Sequence, residues 1–165
     1  MKPGEIVPDV GDASGLAEWV ERYGDQLVQF AYTFIHDWEA AQDLAQETFV
    51  RATRARRRLT PAWLFTVAHH LAIDEVRRRR RVVTMANVEA GASEPDPALP
   101  LLVTDALRRL SHRDRECLWL FYYAGLSLKE VGTVMGLSVS QVKGHLYRAR
   151  RHFAAAWTTD QDGGI

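Results

Sequence analysis

LSLKEVGTVMGLSVSQVKGHLYRARRHF, residues 126–153, decides the fold of the C-terminal half of this chain. Its apolar residues recur at three- and four-residue steps on either side of Gly136, a residue type that often ends a helix in the left-handed conformation. Two serines have the spacing of capping boxes, in which a Glu or Gln follows three positions later: Ser127 with Glu130, and Ser138 with Gln141. The stretch therefore predicts a short helix, a tight turn and a second helix beginning just after Ser138.

This order of elements indicates a helix-turn-helix, whose second helix reaches base edges in the major groove. The predicted core is made of branched apolar residues: Leu128, Val131, Val134, Leu137, Val139, Val142 and Leu146. The polar cap and the predicted outward positions are Ser138, Ser140, Gln141, Lys143, Gly144, His145 and Arg148. Gln suits adenine edges, and Lys or Arg suits guanine edges and phosphates. We expect DNA binding here; the alternative is an ordinary helical hairpin with a solvated basic face.

Three longer helices are predicted upstream. Apolar residues repeat at helical spacing from residue 14 to residue 34, and Asp37 is a candidate N-cap for the next helix. The apolar stripe of that second helix is Trp38, Ala41, Leu44, Ala45, Phe49 and Ala52. Thr60 followed by Pro61 predicts the start of a third helix, which runs into the arginines at 77–81. These three helices are expected to form one domain.

Between residues 82 and 100 the helical period disappears and glycine and three prolines occur, which is the composition of a flexible linker. Beyond it we predict four helices: one at about 101–110, one capped by Ser111 with Asp114 and ended by Gly125, and the two of the helix-turn-helix. The predicted fold is all-α, with two small helical domains. Its segments are a flexible lead (1–13), a three-helix domain (14–81), the linker (82–100), a four-helix domain (101–157) and a tail (158–165).

Charge is segregated along a chain that is neutral overall, with 21 basic and 21 acidic residues. Residues 1–50 hold ten acidic residues but only two basic ones, whereas residues 51–81 hold ten arginines and two acidic residues. Such segregation predicts an acidic surface for a protein partner and a basic surface for a polyanion.

Catalysis and cofactor binding are not expected. The single cysteine, Cys117, lies in an apolar stretch and predicts a packed thiol. The sequence has no ligand spacing typical of a metal site, no nucleophile elbow and no Gly-rich phosphate loop. We found no apolar stretch of membrane-spanning length and no targeting signal, so a cytoplasmic protein without a small-molecule substrate is expected.

Three motifs in order resemble the extracytoplasmic-function (ECF) sigma factors, which have only the second and fourth sigma-70 regions. They are DLAQETF at 43–49, WLFTVAHHLAIDEVRRRRR at 63–81, and the block from Leu110 to Arg151 that includes SVSQVKGHLYRAR. The resemblance implies binding to core RNA polymerase, through its beta-prime clamp helices and beta flap, and recognition of minus-ten and minus-thirty-five promoter elements. It also implies an anti-sigma factor, often membrane-anchored, as a partner. A stand-alone helix-turn-helix regulator would explain only the C-terminal half.

The resemblance places the polymerase-binding surface on the second helix. The matching residues are Asp43, Gln46 and Glu47, and helical spacing adds Glu39 and Arg51 to the same surface. Three of these are acids spaced four apart, so they share one helix face on which like charges repel. A merely solvated face is the alternative interpretation.

The resemblance assigns minus-ten recognition to the third helix. The matching residues are Trp63, His69, His70, Asp74, Arg77 and Arg78. An aromatic ring can stack on an extruded base, and arginines can hold single-strand phosphates. The alternatives are a core role for Trp63 and a solvated surface for the histidines and arginines. The family usually has a longer loop than residues 53–60 provide, and tends to have Asn at the position of His70.

Overall fold

In the computed structural model, which describes residues 13–55, 59–86 and 109–161, all regular secondary structure is helical. The helices are α1 (Ala13–Ile35), α2 (Trp38–Arg54), α3 (Pro61–Ala86), α4 (His112–Leu118), α5 (Leu128–Met135) and α6 (Val139–Gln161), with a π-helical segment at Trp119–Tyr123 between α4 and α5. The chain groups into two compact units, one containing α1–α3 and the other built from the helices after residue 109. The predicted all-α class is confirmed.

Local capping starts the helices of the N-terminal unit where the sequence predicts it. The Asp37 carboxylate accepts a hydrogen bond from the Ala40 amide at 3.1 Å, and the Thr60 hydroxyl accepts one from the Trp63 amide at 3.2 Å. Pro61 is the first residue of α3, where its missing N–H costs no helix hydrogen bond.

The core of the N-terminal unit lies where α1 packs against α2 and α3. Phe30, in the C-terminal half of α1, has its ring 5.0 Å from that of Phe34 and 5.6 Å from that of Phe65, both edge-on. Phe30 and Phe65 are fully buried, and each such burial stabilises the fold by roughly 1.5–3 kcal/mol. This packing holds α2 and α3 in place while one face of each remains at the surface.

α3 continues to Ala86, so the prediction that its helix ends at residue 81 is wrong. The residues after the arginines, Val82 to Ala86, contain no glycine or proline that would stop a helix. Residues 1–12, 56–58, 87–108 and 162–165 lie outside the described residues, and with them part of the 53–60 loop, most of the predicted linker and most of the predicted helix at 101–110. α6 likewise runs to Gln161, into the predicted tail.

In the C-terminal unit, Ser111 caps α4 by accepting a hydrogen bond from the Asp114 amide at 3.2 Å, and Gly125 ends the following segment with a φ of 69°. The segment before Gly125 is π-helical, which periodicity did not predict. The Ala124 amide donates to the Trp119 carbonyl five residues back, at 3.1 Å.

The helix-turn-helix forms as predicted. Ser127 and Glu130 form a reciprocal capping box on α5, and Gly136 ends that helix in the left-handed conformation with a φ of 66°. α6 has the same cap, in which the Ser138 amide donates to Gln141 Oε1 at 2.8 Å and the Gln141 amide donates to Ser138 Oγ at 3.2 Å. The buried core includes Val131, Val134, Val142, Leu146 and Ala149.

Val139 is 40% exposed, so its predicted place in the core is wrong. It is the first residue of α6, at the end of the helix, where it is only partly covered. None of the described helices is long and apolar enough to span a membrane.

Candidate nucleic-acid and protein-binding surfaces

The start of α6 presents polar side chains to solvent. Ser140, Gln141 and Lys143 are exposed, and Gly144 is half-buried. These residues lie in the first two turns of the second helix of the helix-turn-helix, which is the part that enters the major groove in this motif. Residues 131–155 contain no acidic side chain, so nothing on this stretch of α5 and α6 repels phosphates.

Gln141 has two roles that compete for its amide. Its Oε1 accepts the hydrogen bond from the Ser138 amide at 2.8 Å, so its Nε2 hydrogens are the part left to contact a partner. Bidentate pairing with adenine uses both the oxygen and the nitrogen of a Gln amide. Pairing of this kind would therefore break one hydrogen bond of the α6 cap, whereas a single contact through Nε2 would not.

His145 does not face out as predicted. Its side chain is only 16% exposed, and its Nδ1 lies 2.7 Å from Oδ1 of Asp114 on α4. Arg148, one turn further along α6, remains 52% exposed, and its Nη2 lies 3.5 Å from the same carboxylate oxygen. Sequence reasoning missed Asp114, which it treated only as the second half of a capping box.

Asp114 is buried, and its carboxylate contacts α6 rather than completing the box at the start of α4. Burial opposes ionisation of this carboxyl, but hydrogen bonds from His145 and Ser111, and the charge of Arg148, hold the pKa of Asp114 below its usual value. An ionised acid therefore lies beneath two of the predicted DNA-binding side chains.

On α3, the predicted minus-ten residues differ in exposure. His70, Asp74, Arg77 and Arg78 are exposed. Trp63 is half-buried, and His69 is half-buried with its ring 5.7 Å from that of Phe34. The four exposed residues form an outer surface of mixed charge, in which Arg77 Nη1 lies 3.8 Å from Asp74 Oδ1.

Two arginines of the 77–81 run are held in ion pairs that periodicity did not reveal. Arg78 donates two hydrogen bonds of 2.7 Å to Glu75. Arg79 donates to Glu75 at 2.7 Å and to Asp37, the N-cap of α2, at 2.9 Å. Hydrogen bonds from Arg78 and Arg79 lower the pKa of Glu75 to about 2, although burial of the carboxyl opposes this shift. Glu75 thus partly neutralises the run and orients Arg78.

The predicted polymerase-binding surface forms one side of α2. Glu39, Asp43 and Gln46 are exposed, and Glu47 is half-buried. Glu47 Oε1 lies 2.8 Å from Arg51 Nε, so the last acid of this face is paired within the helix and the acidic charge is concentrated towards its start.

Trp38, the first residue of α2, is 42% exposed, so its predicted place in the core stripe is wrong. Its ring packs edge-on against Tyr32 at 5.6 Å, and the rest of it remains accessible beside Glu39. Exposed aromatic side chains are enriched in protein-binding surfaces.

No group of residues among those described could hold a metal ion through three or more His, Cys, Asp or Glu side chains. Cys117 is fully buried, and burial raises the pKa of its thiol to about 12. The thiol is therefore protonated at neutral pH and is not an active nucleophile, as its apolar surroundings in the sequence predict.

Comparison with known proteins gives two family matches and several relatives. Residues 19–82 match the model of sigma-70 region 2, and residues 101–153 match that of sigma-70 region 4. The ECF RNA polymerase sigma factor SigM of Bacillus subtilis is 30% identical over an alignment of 153 positions that covers 85% of this chain and 93% of SigM. The ECF RNA polymerase sigma factor BldN of Streptomyces coelicolor is 31% identical over 87% of this chain, which spans only 61% of the length of BldN.

A solved structure shows the same fold. The sigma factor RpoE of Bartonella quintana, crystallised with the anti-sigma factor NepR, superposes with a TM-score of 0.74. The alignment covers 90% of this chain and 99% of RpoE at 24% sequence identity.

Proposed function

We propose, because the chain belongs to the extracytoplasmic-function family of RNA polymerase sigma factors, that it binds core RNA polymerase and directs it to promoters. The observation that carries this proposal is the doubly capped helix-turn-helix whose second helix exposes Ser140, Gln141 and Lys143. A sigma factor is a transcription initiation factor rather than an enzyme, and we infer that this chain supplies promoter recognition while the polymerase supplies the chemistry.

The two units divide the work in this proposal. The N-terminal domain, residues 14–81 with the helical extension to Ala86, binds polymerase and the minus-ten element, and residues 101–157 bind the minus-thirty-five element. Residues between them form the linker. The family-model matches at 19–82 and 101–153 support these boundaries to within a few residues.

Polymerase binding is assigned to the exposed side of α2. The beta-prime clamp helices would contact Glu39, Asp43, Gln46, Glu47 and Arg51. The exposed acids near the start of this face and the accessible indole of Trp38 support the assignment, since acidic charge steers a basic partner surface and an aromatic ring gives apolar contact area. The beta flap would bind the C-terminal domain.

Minus-ten recognition is assigned to α3. The residues proposed are Trp63, His69, His70, Asp74, Arg77 and Arg78. His70 and Arg77 are exposed donors for bases and phosphates. Arg78, held by Glu75 through both Nε and Nη2, has fewer donors left and would contact DNA with its remaining N–H groups.

Minus-thirty-five recognition is assigned to the start of α6. The residues proposed are Ser138, Ser140, Gln141, Lys143, Gly144, His145 and Arg148. Lys143 is the exposed cation nearest the helix start and is expected to make the strongest direct contact with a guanine edge or a phosphate.

A charge-reversal experiment tests the division of labour. The double variant Asp43→Arg with Glu47→Arg should reduce binding to core polymerase by at least tenfold, because each reversal turns an attraction into a repulsion, and should leave binding of minus-thirty-five duplex intact. The matched control reverses two exposed acids of α1, Glu18→Arg with Glu21→Arg, and should bind polymerase normally. Equal losses in the two variants would show that net charge, not this surface, matters.

A second experiment tests the DNA reader. Lys143→Ala should weaken binding of the holoenzyme to minus-thirty-five DNA by roughly five- to a hundredfold if it pairs with guanine, with polymerase binding unchanged in a pull-down. Run-off transcription from a promoter library would then fall in proportion. Unchanged promoter binding by this variant would contradict the assignment of α6 as the reader.

Regulation by an anti-sigma factor completes the proposal, with the chain in the cytoplasm or held at the membrane through that partner. The complex of RpoE with NepR shows that a protein with this fold is captured by such a partner. Affinity purification of the tagged chain from its host in unstressed and in stressed cells should yield an anti-sigma protein from the unstressed cells. Recovery of core polymerase alone in both conditions would contradict this part.

A further inference from the structure

Three polar side chains meet where α4 contacts α6. Asp114, the third residue of α4, has only 8% of its side chain exposed, and Oδ1 of its carboxylate lies 2.7 Å from His145 Nδ1 and 3.5 Å from Arg148 Nη2. The Ser111 hydroxyl, at the cap of α4, also hydrogen-bonds this carboxyl. Asp114 lies outside the helix-turn-helix, more than thirty residues before the two side chains that it contacts.

The chemistry of this contact determines how His145 is presented. An ionised carboxylate can only accept hydrogen bonds, so His145 Nδ1 must carry the hydrogen that it shares with Asp114. The ring is then either the neutral Nδ1–H tautomer or the imidazolium, and in both forms Nε2 is the nitrogen left for another partner. Without the carboxylate, the His145 ring could adopt either neutral tautomer and either ring orientation.

The same carboxylate constrains Arg148. Its Nη2 lies 2.8 Å from His145 Nδ1, which cannot accept from it while donating to Asp114. The acceptor available to this nitrogen is therefore the Asp114 oxygen. Because the Arg148 side chain is 52% exposed, the rest of the guanidinium remains free to approach DNA in an orientation that the buried acid restricts.

We propose that Asp114 is a positioning residue for promoter recognition, which acts by fixing the largely buried ring of His145 and, beside it, the exposed guanidinium of Arg148 on α6. The proposal rests on the proposed function, namely that α6 reads the minus-thirty-five element. Asp114 itself is buried and negatively charged, so it has no direct contact to offer a phosphate or a base. Its effect on recognition must pass through its two partners.

The effect of Asp114 on base selectivity distinguishes a positioning role from a merely structural one. The full chain, reconstituted with core polymerase, would select duplexes from a pool randomised across the minus-thirty-five element. Asp114→Asn should lower affinity for the best site about tenfold, the loss expected for one base contact, and flatten the preference at one or two adjacent base pairs. Affinity for a non-cognate duplex should stay within about twofold. The control Asp25→Asn, which removes an exposed carboxylate from α1, should leave both values unchanged.

A double-mutant cycle identifies the route of the effect. In a chain that already carries His145→Ala and Arg148→Ala, the added Asp114→Asn should change the residual affinity less than twofold. A tenfold loss that persists in that background, or one that is equal for all duplexes, would overturn the proposal. Failure of the unmodified holoenzyme to enrich any sequence would instead contradict the proposed function.

A spectroscopic measurement tests the contact without DNA. Nitrogen-15 spectra of the histidine rings in the unmodified full chain should show His145 protonated at Nδ1, assigned by loss of its signals in His145→Ala. A neutral ring with its hydrogen on Nε2 would overturn the proposal even if Asp114→Asn failed to fold.

Discussion

Gly132 shows, at the scale of one residue, why the helix-turn-helix needs a close backbone approach. A Cβ at this position would lie 2.5 Å from the carbonyl oxygen of Leu137. The Leu137 amide in turn donates to the Gly132 carbonyl at 2.8 Å. The turn therefore closes directly onto the backbone of α5, and only a residue without a side chain leaves room for it.

Gly132→Ala is expected to lower the free energy of unfolding by roughly 1–3 kcal/mol, the usual cost of forcing extra volume into a packed site. Urea denaturation followed by circular dichroism would measure it. The matched control is Gly24→Ala in α1, where a Cβ would make an ordinary contact at 3.8 Å with Val20 Cγ1. That change should raise stability by about 0.5–1 kcal/mol, because alanine favours a helix interior. Equal effects at the two glycines would contradict the close approach at Gly132.

Cys117 should resist alkylation in the folded chain. Burial raises the pKa of its thiol to about 12, so the reactive thiolate form is scarce at neutral pH. The buried sulfur is also inaccessible to the reagent. Mass spectrometry after iodoacetamide treatment at pH 7.5 should find Cys117 unmodified within an hour and fully modified in 6 M guanidinium. Rapid modification of the native chain would show that the thiol is accessible.

At the scale of the element, the start of α2 is tied to the C-terminal half of α3. Arg79 contacts Asp37, the N-cap of α2, and Glu75, one turn before it on α3. The charges alternate in sign, so each ion is stabilised by the next. This network joins Arg79 of α3 to the start of α2, the helix proposed to bind polymerase.

The network makes stability depend on pH in a predictable direction. The folded-state pKa of Glu75 is about 2, below its ordinary value of 4.5, so its contribution is fully present above pH 4.5 and is lost as pH falls towards 2. The stability difference between the unmodified chain and Glu75→Gln should therefore be constant from pH 5 to 7 and shrink below pH 4.5. Denaturant titrations at several pH values would measure it.

The control for this experiment is Asp74→Asn. Asp74 is the exposed neighbour of Glu75, and its closest ion-pair nitrogen, on Arg77, is 3.8 Å away. Exposed pairs of this kind contribute little to stability, so this variant should unfold like the unmodified chain at each pH. A stability difference for Glu75→Gln that did not change between pH 5 and pH 3 would contradict the ion-pair network.

At the scale of the whole molecule, a net charge of zero does not prevent binding to DNA. The acidic residues are concentrated before residue 51 and the arginines after it, so local potentials differ in sign although the total cancels. Screening lengths near 8 Å at physiological salt make such local fields, rather than the net charge, decide binding.

Holoenzyme binding to promoter DNA should accordingly weaken with salt. A plot of log affinity against log salt should have a negative slope, and Lys143→Ala should reduce its magnitude by about 1 if Lys143 contacts a phosphate. Fluorescence anisotropy at several potassium chloride concentrations would measure both. An unchanged slope with weaker affinity would instead place Lys143 on a base edge. A salt-independent affinity for the unmodified chain would contradict the role of the basic residues.

The sequence by itself determined the helices, most of their caps and the helix-turn-helix. Asp37, Thr60, Gly125 and Gly136 act through contacts that close within a few residues, so their effect can be read from spacing alone. The same holds for the acidic side of α2. The π-helical segment before Gly125 was not predicted, because a single widened turn does not change the spacing of the apolar residues enough to be recognised.

Only the tertiary structure decided which polar side chains are available to partners. The Arg79–Asp37 and His145–Asp114 contacts join residues 42 and 31 positions apart, and no local pattern encodes a pairing at that separation. The exposure of Trp38 and Val139 likewise depends on which distant residues pack against the start of each helix. The second helix of the helix-turn-helix therefore forms where the sequence predicts it, but two of its polar side chains, His145 and Arg148, contact a buried acid from another helix.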